Sequence, residues 1–422
     1  MHEGGLTPRQ MALMRLLISV VGVSVTVVLV ACGGSEDPAA SPAGAESPAT
    51  SPAGPESSAV RPSAPASAPV ASGSWDVLPA VKAKHYQELK AVTVGSQVVI
   101  VSGVDGTQSR LKALAFDRGS ERWRRTTSPL EPRFGYSAVA AGDEVLVWGG
   151  CCGPGGGDGS QADGIRYEVA VDEWRAMAKS PLADRFSHSA VWTGEEMIVW
   201  GGIAGSPGGT GGDVTSTGAA YDPRTNAWRE ISDAPIDARS NHVGVWTGEE
   251  MIIWGGALGR YRGDETQLLS SSGGAYSPES DTWREIATAP IPSRAGAEAV
   301  WTGEEMIVWN SEAGAAYDPA VDAWRELPDA PRGLAVYDTV VWSEATMLVW
   351  GGGGASGHAD GIAYDPGSDE WARIPKAPLA GRDRHAAVST DDGMLVWGGC
   401  CAGSDYYSDG ATYALRGTPS SR

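Results

Sequence analysis

From residue 75 to residue 416 the chain alternates short apolar runs with turn-forming residues. The clearest unit reads Val191-Trp192-Thr193-Gly194-Glu195-Glu196-Met197-Ile198-Val199-Trp200-Gly201-Gly202. It returns almost unchanged from Val245 to Gly256 and from Val300 to Trp309, with looser copies starting at Val92, Val139, Val341 and Val388. Within each unit a strand of small residues leads through a Gly-acid turn to a second strand that ends in di-glycine. A variable loop follows, then a third strand carrying Phe116, Tyr167, Tyr221, Tyr276, Tyr317, Tyr364 or Tyr413. A turn such as Asp222-Pro223-Arg224-Thr225-Asn226 leads to a fourth strand with a Trp. The pattern predicts four short strands per unit and an all-β chain.

The anchoring valines are 47, 52, 54, 55, 41 and 47 residues apart. A period near fifty with four strands per unit is that of a β-propeller blade. The di-glycine, the Tyr-Asp-Pro turn and the later Trp together resemble the kelch family over residues 75–416, which implies a seven-bladed kelch-type β-propeller. The 17 tryptophans support the count. Fourth strands claim Trp123, Trp174, Trp228, Trp283, Trp324 and Trp371, second and first strands claim ten more, and Trp75 is left over. The last unit lacks a fourth strand, and Ser74-Trp75-Asp76-Val77-Leu78-Pro79 resembles Ala323-Trp324-Arg325-Glu326-Leu327-Pro328. The N-terminal strand is therefore expected to pair into the last sheet and close the ring, which removes exposed sheet edges. The aromatic residues read as core between blades.

Residues 1–31 read as an address. Arg9 and Arg15 precede an apolar stretch, Leu16 to Ala31, which is short for a membrane span and suits a secretory signal. Leu29-Val30-Ala31-Cys32-Gly33 resembles the bacterial lipobox, which implies lipidation (palmitate included) of Cys32 and a lipid anchor at the extracytoplasmic face of the cell membrane. Residues 32–74, rich in Ala, Pro, Ser and Gly, read as a disordered tether, and 417–422 as a disordered tail. The formal net charge of −20 argues against nucleic acid as a partner.

Strand direction sorts the loops onto two faces. One collects acids such as Asp143-Glu144, Glu195-Glu196, Glu249-Glu250 and Glu304-Glu305, and is expected to turn toward the membrane. The other, the mouth, carries the long loops 151–164, 203–218 and 257–273. It also receives Arg133, Arg185, Arg239, Arg294 and Arg382, each opening an inner strand, followed three residues later by His188, His242 and His385 in three blades and by Tyr136 in another. Arginine grips carboxylates through its planar fork, so these nine residues form the candidate ligand site. On that reading Arg185→Ala with Arg239→Ala removes binding and spares the melting temperature. Blade five departs, with Asn310-Ser311 in place of di-glycine.

The function that follows is a monomeric, membrane-anchored extracellular binding module for an anionic or polar ligand: a carboxylated sugar, a cell-wall fragment or an acidic protein segment. The rival reading is a carbohydrate-active enzyme, a sugar mutarotase or a galactose oxidase-like copper oxidase, drawing on the same Arg and His set with Glu298 or Asp338 as acid or base. No nucleophile motif or metal-ligand box is present, so no metal or cofactor is assigned and the binding module is preferred. A third reading makes the acidic face a scaffold for another protein. Cys151, Cys152, Cys400 and Cys401 occupy the same mouth loop in blades two and seven and are disulfide candidates, with three connectivities open.

Overall fold

The computed structural model describes residues 71–415 apart from 84–85, 105–109, 153–158, 160, 206–211, 260–267, 295, 332, 334, 354–356 and 401–405. The signal, Cys32, most of the tether and the 417–422 tail lie outside the described residues, as does much of the three long mouth loops.

The described residues form seven four-stranded antiparallel sheets arranged as a β-propeller. Blade one comprises Gln87–Val94, Gln97–Val104, Lys112–Asp117 and Arg122–Thr127. Blades two to six repeat that meander from Ser137, Ser189, Val243, Glu298 and Asp338. Blade seven takes Ala386–Thr390, Gly393–Trp397 and Gly410–Ala414 from the C-terminal end and Ser74–Val77 from the N-terminal end. In that closing pair Trp75 stands opposite Tyr413. Each inner strand touches the inner strands of both neighbouring blades, and the circuit closes between blades seven and one.

The core is divided among the gaps between blades. Valine, isoleucine and leucine of the second strands pack against Ala, Tyr and Trp of the adjoining sheet, for instance Trp148 and Met177 against Met197, Val199 and Tyr221. Alternation along each strand sends successive side chains into the two flanking gaps, so both faces of every sheet are buried. The fourth-strand tryptophans rivet neighbours. The Trp228 indole N–H donates to Ala178 O (3.0 Å), Trp283 to Ser232 O (2.9 Å) and Trp371 to Pro328 O (2.9 Å). Trp75 makes the equivalent bond to Pro375 O (2.7 Å). The closing strand thus repeats the packing of its counterparts.

The acidic turn face carries less free charge than its composition suggests. The second acid of each Glu-Glu turn folds back onto an outer-strand arginine: Glu196 onto Arg229 (2.6 Å), Glu250 onto Arg284 (2.6 Å) and Glu305 onto Arg325 (2.7 Å). These arginines also donate to a tyrosine of the next blade, as Arg284 does to Tyr317 Oη (3.0 Å) and Arg325 to Tyr364 Oη (2.9 Å). Each tyrosine hydroxyl in turn donates to an Asp of its own blade, Tyr317 to Asp322 (2.7 Å) and Tyr364 to Asp369 (2.6 Å). Carboxylates expected to face a partner are therefore inter-blade fasteners.

Candidate functional site

The mouth is built where the chain enters each inner strand. Four of the predicted ligand arginines do not face it. Arg133, Arg185, Arg239 and Arg382 are 2%, 1%, 0% and 0% exposed. Each guanidinium donates to the first glycine of the di-glycine sixteen residues later: Arg133 to Gly149 O (3.1 Å), Arg185 to Gly201 O (3.1 Å), Arg239 to Gly255 O (3.0 Å) and Arg382 to Gly398 O (3.0 Å). Each Nε donates to the carbonyl two residues earlier, for example Arg239 to Asp237 O (3.0 Å). The remaining donors hold the segment before the third strand: Thr217 O and Oγ1 for Arg185, Ser272 O and Oγ for Arg239, Asp163 Oδ1 for Arg133 and Asp409 for Arg382. Burial lowers the Arg185 guanidinium to about 10 and also lowers that of Arg239. The expectation of an arginine-lined pocket is corrected at these four positions: each fork is buried and held by backbone carbonyls, and Arg382 Nη2, left without a hydrogen bond among the described residues, is itself buried.

Arg294 is the exception and is partly exposed, pairing with Glu312. Blade five has Asn310 where blades two, three, four, six and seven have glycine. Asn310 Nδ2 donates to Pro292 O (2.9 Å) and its Oδ1 accepts from Glu312 N (3.1 Å) and Ala313 N (2.8 Å), so the asparagine takes over the clamp.

The histidines are wedges. His188 Nε2 meets Ser137 Oγ (3.0 Å), His242 Nε2 meets Ser189 Oγ (2.8 Å) and His385 Nε2 meets Thr339 Oγ1 (2.7 Å), each on the preceding blade. Their rings stand edge-on to Trp148, Trp200 and Trp350 at 5.0, 5.1 and 4.9 Å. A β-carbon on Gly149 or Gly201 would come within 2.7 or 2.6 Å of these imidazoles, which is why glycine stands there. Tyr136 holds the same slot, its hydroxyl donating between Glu88 O (2.7 Å) and Val101 O (3.0 Å). His188, His242 and Tyr136 therefore occupy separate inter-blade slots, each histidine bonded through Nε2 and the tyrosine through its hydroxyl. They do not converge as a copper-binding set would have to. These four, too, are corrected from ligand contacts to structural ones.

Burial depresses both imidazoles, His188 well below its usual range and His242 to about 3. The folded state therefore holds neutral rings that the unfolded chain protonates near pH 6.5. Stability from these sites is complete above that pH and is lost as pH falls from about 6.5 toward 3. His242 alone accounts for a loss on the order of 3–5 kcal/mol. A pH series of thermal melts should show steep acid destabilisation that His242→Phe reduces.

What the mouth does present is a ring of left-handed residues, one per blade, immediately before the wedge position. They are Glu88 (φ 51°), Gly135 (62°), Ser187 (55°), Asn241 (51°), Gly296 (79°), Tyr337 (63°) and Arg384 (51°). Non-glycine residues rarely adopt this conformation, and a cluster of them marks a site held by its surroundings. Neighbouring members are linked: Gly135 N donates to Glu88 Oε1 (3.1 Å), Ser187 N to Gly135 O (2.8 Å) and Asn241 N to Ser187 O (3.0 Å). The Arg384 guanidinium lies over the Tyr337 ring at 5.0 Å. Arg384 is exposed and the others half-buried. The ring thus offers Ser and Asn hydroxyl and amide groups, one carboxylate and one aromatic-backed cation around the channel entrance.

A kelch-repeat model described as the KLHDC2/KLHL20/DRC7 Kelch-repeats domain matches residues 135–325. Residues 135–325 are thus similar to kelch repeats. Among curated relatives, this chain is 25% identical over 240 residues to Kelch domain-containing protein 3 of Bos taurus, covering 54% of this chain and 60% of that one. It is 23% identical over 229 residues to Kelch-like protein 25 of Xenopus tropicalis, covering 53% and 36%. The chain thus spans less than two thirds of the length of these relatives. Among solved structures, a fungal alcohol oxidase of the AA5 family in complex with copper superposes with a TM-score of 0.61 at 13% identity, over 81% of this chain and 76% of that one. That likeness is one of fold.

Cys151 and Cys400 are both disulfide-bonded. Cys151 is buried against Phe186 and Ile203, and Cys400 pairs by backbone with Asp383 and Tyr406. The Cys152 side chain and Cys401 lie outside the described residues.

Proposed function

We propose that this kelch propeller is a binding module for an acidic or polar segment of another protein, held outside the cell membrane by a lipid on Cys32. The observation that carries the reading is the left-handed ring at the channel entrance. Its five non-glycine members, Glu88, Ser187, Asn241, Tyr337 and Arg384, differ from blade to blade and hold strained backbone, which is how a scaffold displays a recognition surface. Kelch propellers are generally protein-binding modules, and the match to kelch-repeat proteins supports a protein partner. Arg384, backed by Tyr337, supplies the cation for a carboxylate, while Ser187 and Asn241 supply hydrogen bonds. The enzyme reading loses support, because Arg133, Arg185, Arg239, Arg382, His242 and His385, most of the set on which it drew, are buried.

A displayed random-peptide library panned against the full chain tests this. The expected result is enrichment of acidic peptides whose binding falls at least tenfold with Arg384→Ala or Tyr337→Ala and is unchanged by Glu195→Lys on the opposite face. Failure to enrich, or indifference to both ring substitutions, would overturn it. Cys32→Ala should move the protein from the membrane to the soluble fraction. Retention on the membrane would remove the lipid anchor from the reading.

A further inference from the structure

One layer of the axial channel carries an unmatched pair of charges. In each blade one inner-strand residue stands opposite the same second-strand position. The pairs are Lys90 with Val101, Ser137 with Trp148, Ser189 with Trp200, Val243 with Trp254, Glu298 with Trp309, Thr339 with Trp350 and Ala386 with Trp397. These seven residues therefore lie at one level around the axis. Five are small or short, and Ser137, Ser189 and Thr339 are tied to the wedge histidines. Lys90 in blade one and Glu298 in blade five are the two charged members.

Both are open to solvent. Yet burial is the main cause that lifts the Glu298 carboxyl from 4.5 to about 7, with Asp338 raising it further and Lys90 opposing. Accessibility to a water-sized sphere combined with strong desolvation is the signature of a side chain in a narrow wet channel enclosed by protein. The Lys90 ammonium acts on both Glu298 and His188, so its field reaches across the axis. Among the described residues neither the Lys90 nor the Glu298 side chain forms a hydrogen bond or ion pair. Two opposite charges share a layer without meeting, and the short side chains of the other blades leave space between them.

We propose that this layer is a binding site for a small zwitterion of the amino-acid class, its carboxylate against Lys90 and its ammonium against Glu298. Single ions satisfy one wall and leave the other desolvated charge unmatched, whereas a zwitterion satisfies both. The site lies inside the channel below the ring and stands or falls independently of the protein partner proposed above.

Isothermal titration calorimetry of the full chain with glycine, β-alanine, 4-aminobutyrate and 6-aminohexanoate measures both affinity and charge spacing. One chain length is expected to bind best. Acetate and methylammonium are expected to bind at least tenfold more weakly, and Lys90→Met or Glu298→Gln to weaken the best ligand at least tenfold. The double variant Lys90→Glu/Glu298→Lys keeps both charges in the layer and should retain binding within threefold, which keeps the test decisive if a single variant does not fold. No heat from any zwitterion, affinity unaffected by both single substitutions, or acetate or methylammonium binding as well as the zwitterions would each overturn the proposal.

Discussion

Arg239→Ala is expected to destabilise the propeller by about 3–5 kcal/mol, the range for removing one partner of a buried charged network. For a domain of this size that lowers the melting temperature by roughly 6–15 °C. The side chain fills a fully buried slot and donates to Asp237 O, Gly255 O, Ser272 O and Ser272 Oγ. Truncation leaves those acceptors facing a cavity, and unsatisfied buried carbonyls each cost about 1–3 kcal/mol. Arg239→Lys should recover less than half of the loss, because one ammonium cannot reach a fork of four acceptors. Arg185→Ala should behave alike, since its donors reach Ala183 O, Gly201 O and Thr217. The double alanine variant, expected from sequence to lose only ligand binding, should instead be severely destabilised. Thermal melts of the single, double and lysine variants decide the point; unchanged melting temperatures would return these arginines to the surface.

Replacing Ser74–Val77 by a Gly-Ser stretch is expected to have a still larger effect. These four residues supply the whole outer strand of blade seven, pairing with Ala411 to Ala414. Trp75 packs against Trp350 and Tyr413 at 5.7 and 5.1 Å and bonds to Pro375 O, so its loss also opens the gap between blades six and seven. The exposed edge of Gly410–Ala414 would then be a template for another chain. Light scattering after gel filtration should show dimers or larger species, and the melt should lose cooperativity. Trp75→Ala alone should cost about 3 kcal/mol through lost burial and one hydrogen bond. A monomer with an unchanged melt would show that the ring does not depend on this strand.

Closure was legible in the sequence because a repeat leaves arithmetic behind: one unit short of a Trp and one Trp without a unit. The role of the arginines is legible too, in a fixed interval along the chain. Arg and the first glycine are sixteen residues apart in blades two, three, four and seven, and the same interval in blade five joins Arg294 to Asn310. Where the glycine is replaced the arginine is partly exposed and pairs with Glu312, so the fixed interval to a glycine carbonyl marks the structural role. The entrance ring was not legible, because Glu88, Gly135, Ser187, Asn241, Gly296, Tyr337 and Arg384 share a backbone conformation and no side-chain chemistry. The turn face was misjudged for a related reason: composition counts carboxylates, while only coordinates show that Glu196, Glu250 and Glu305 are already held by arginines.

The division of the mouth into a buried arginine layer and an exposed ring is tested most directly by phenylglyoxal labelling of the native full chain, with sites read by mass spectrometry. Arg384 and Arg294 are expected to be modified rapidly, and Arg133, Arg185, Arg239 and Arg382 to be protected until the protein is denatured. Rapid modification of Arg185 or Arg239 in the folded protein would contradict that division.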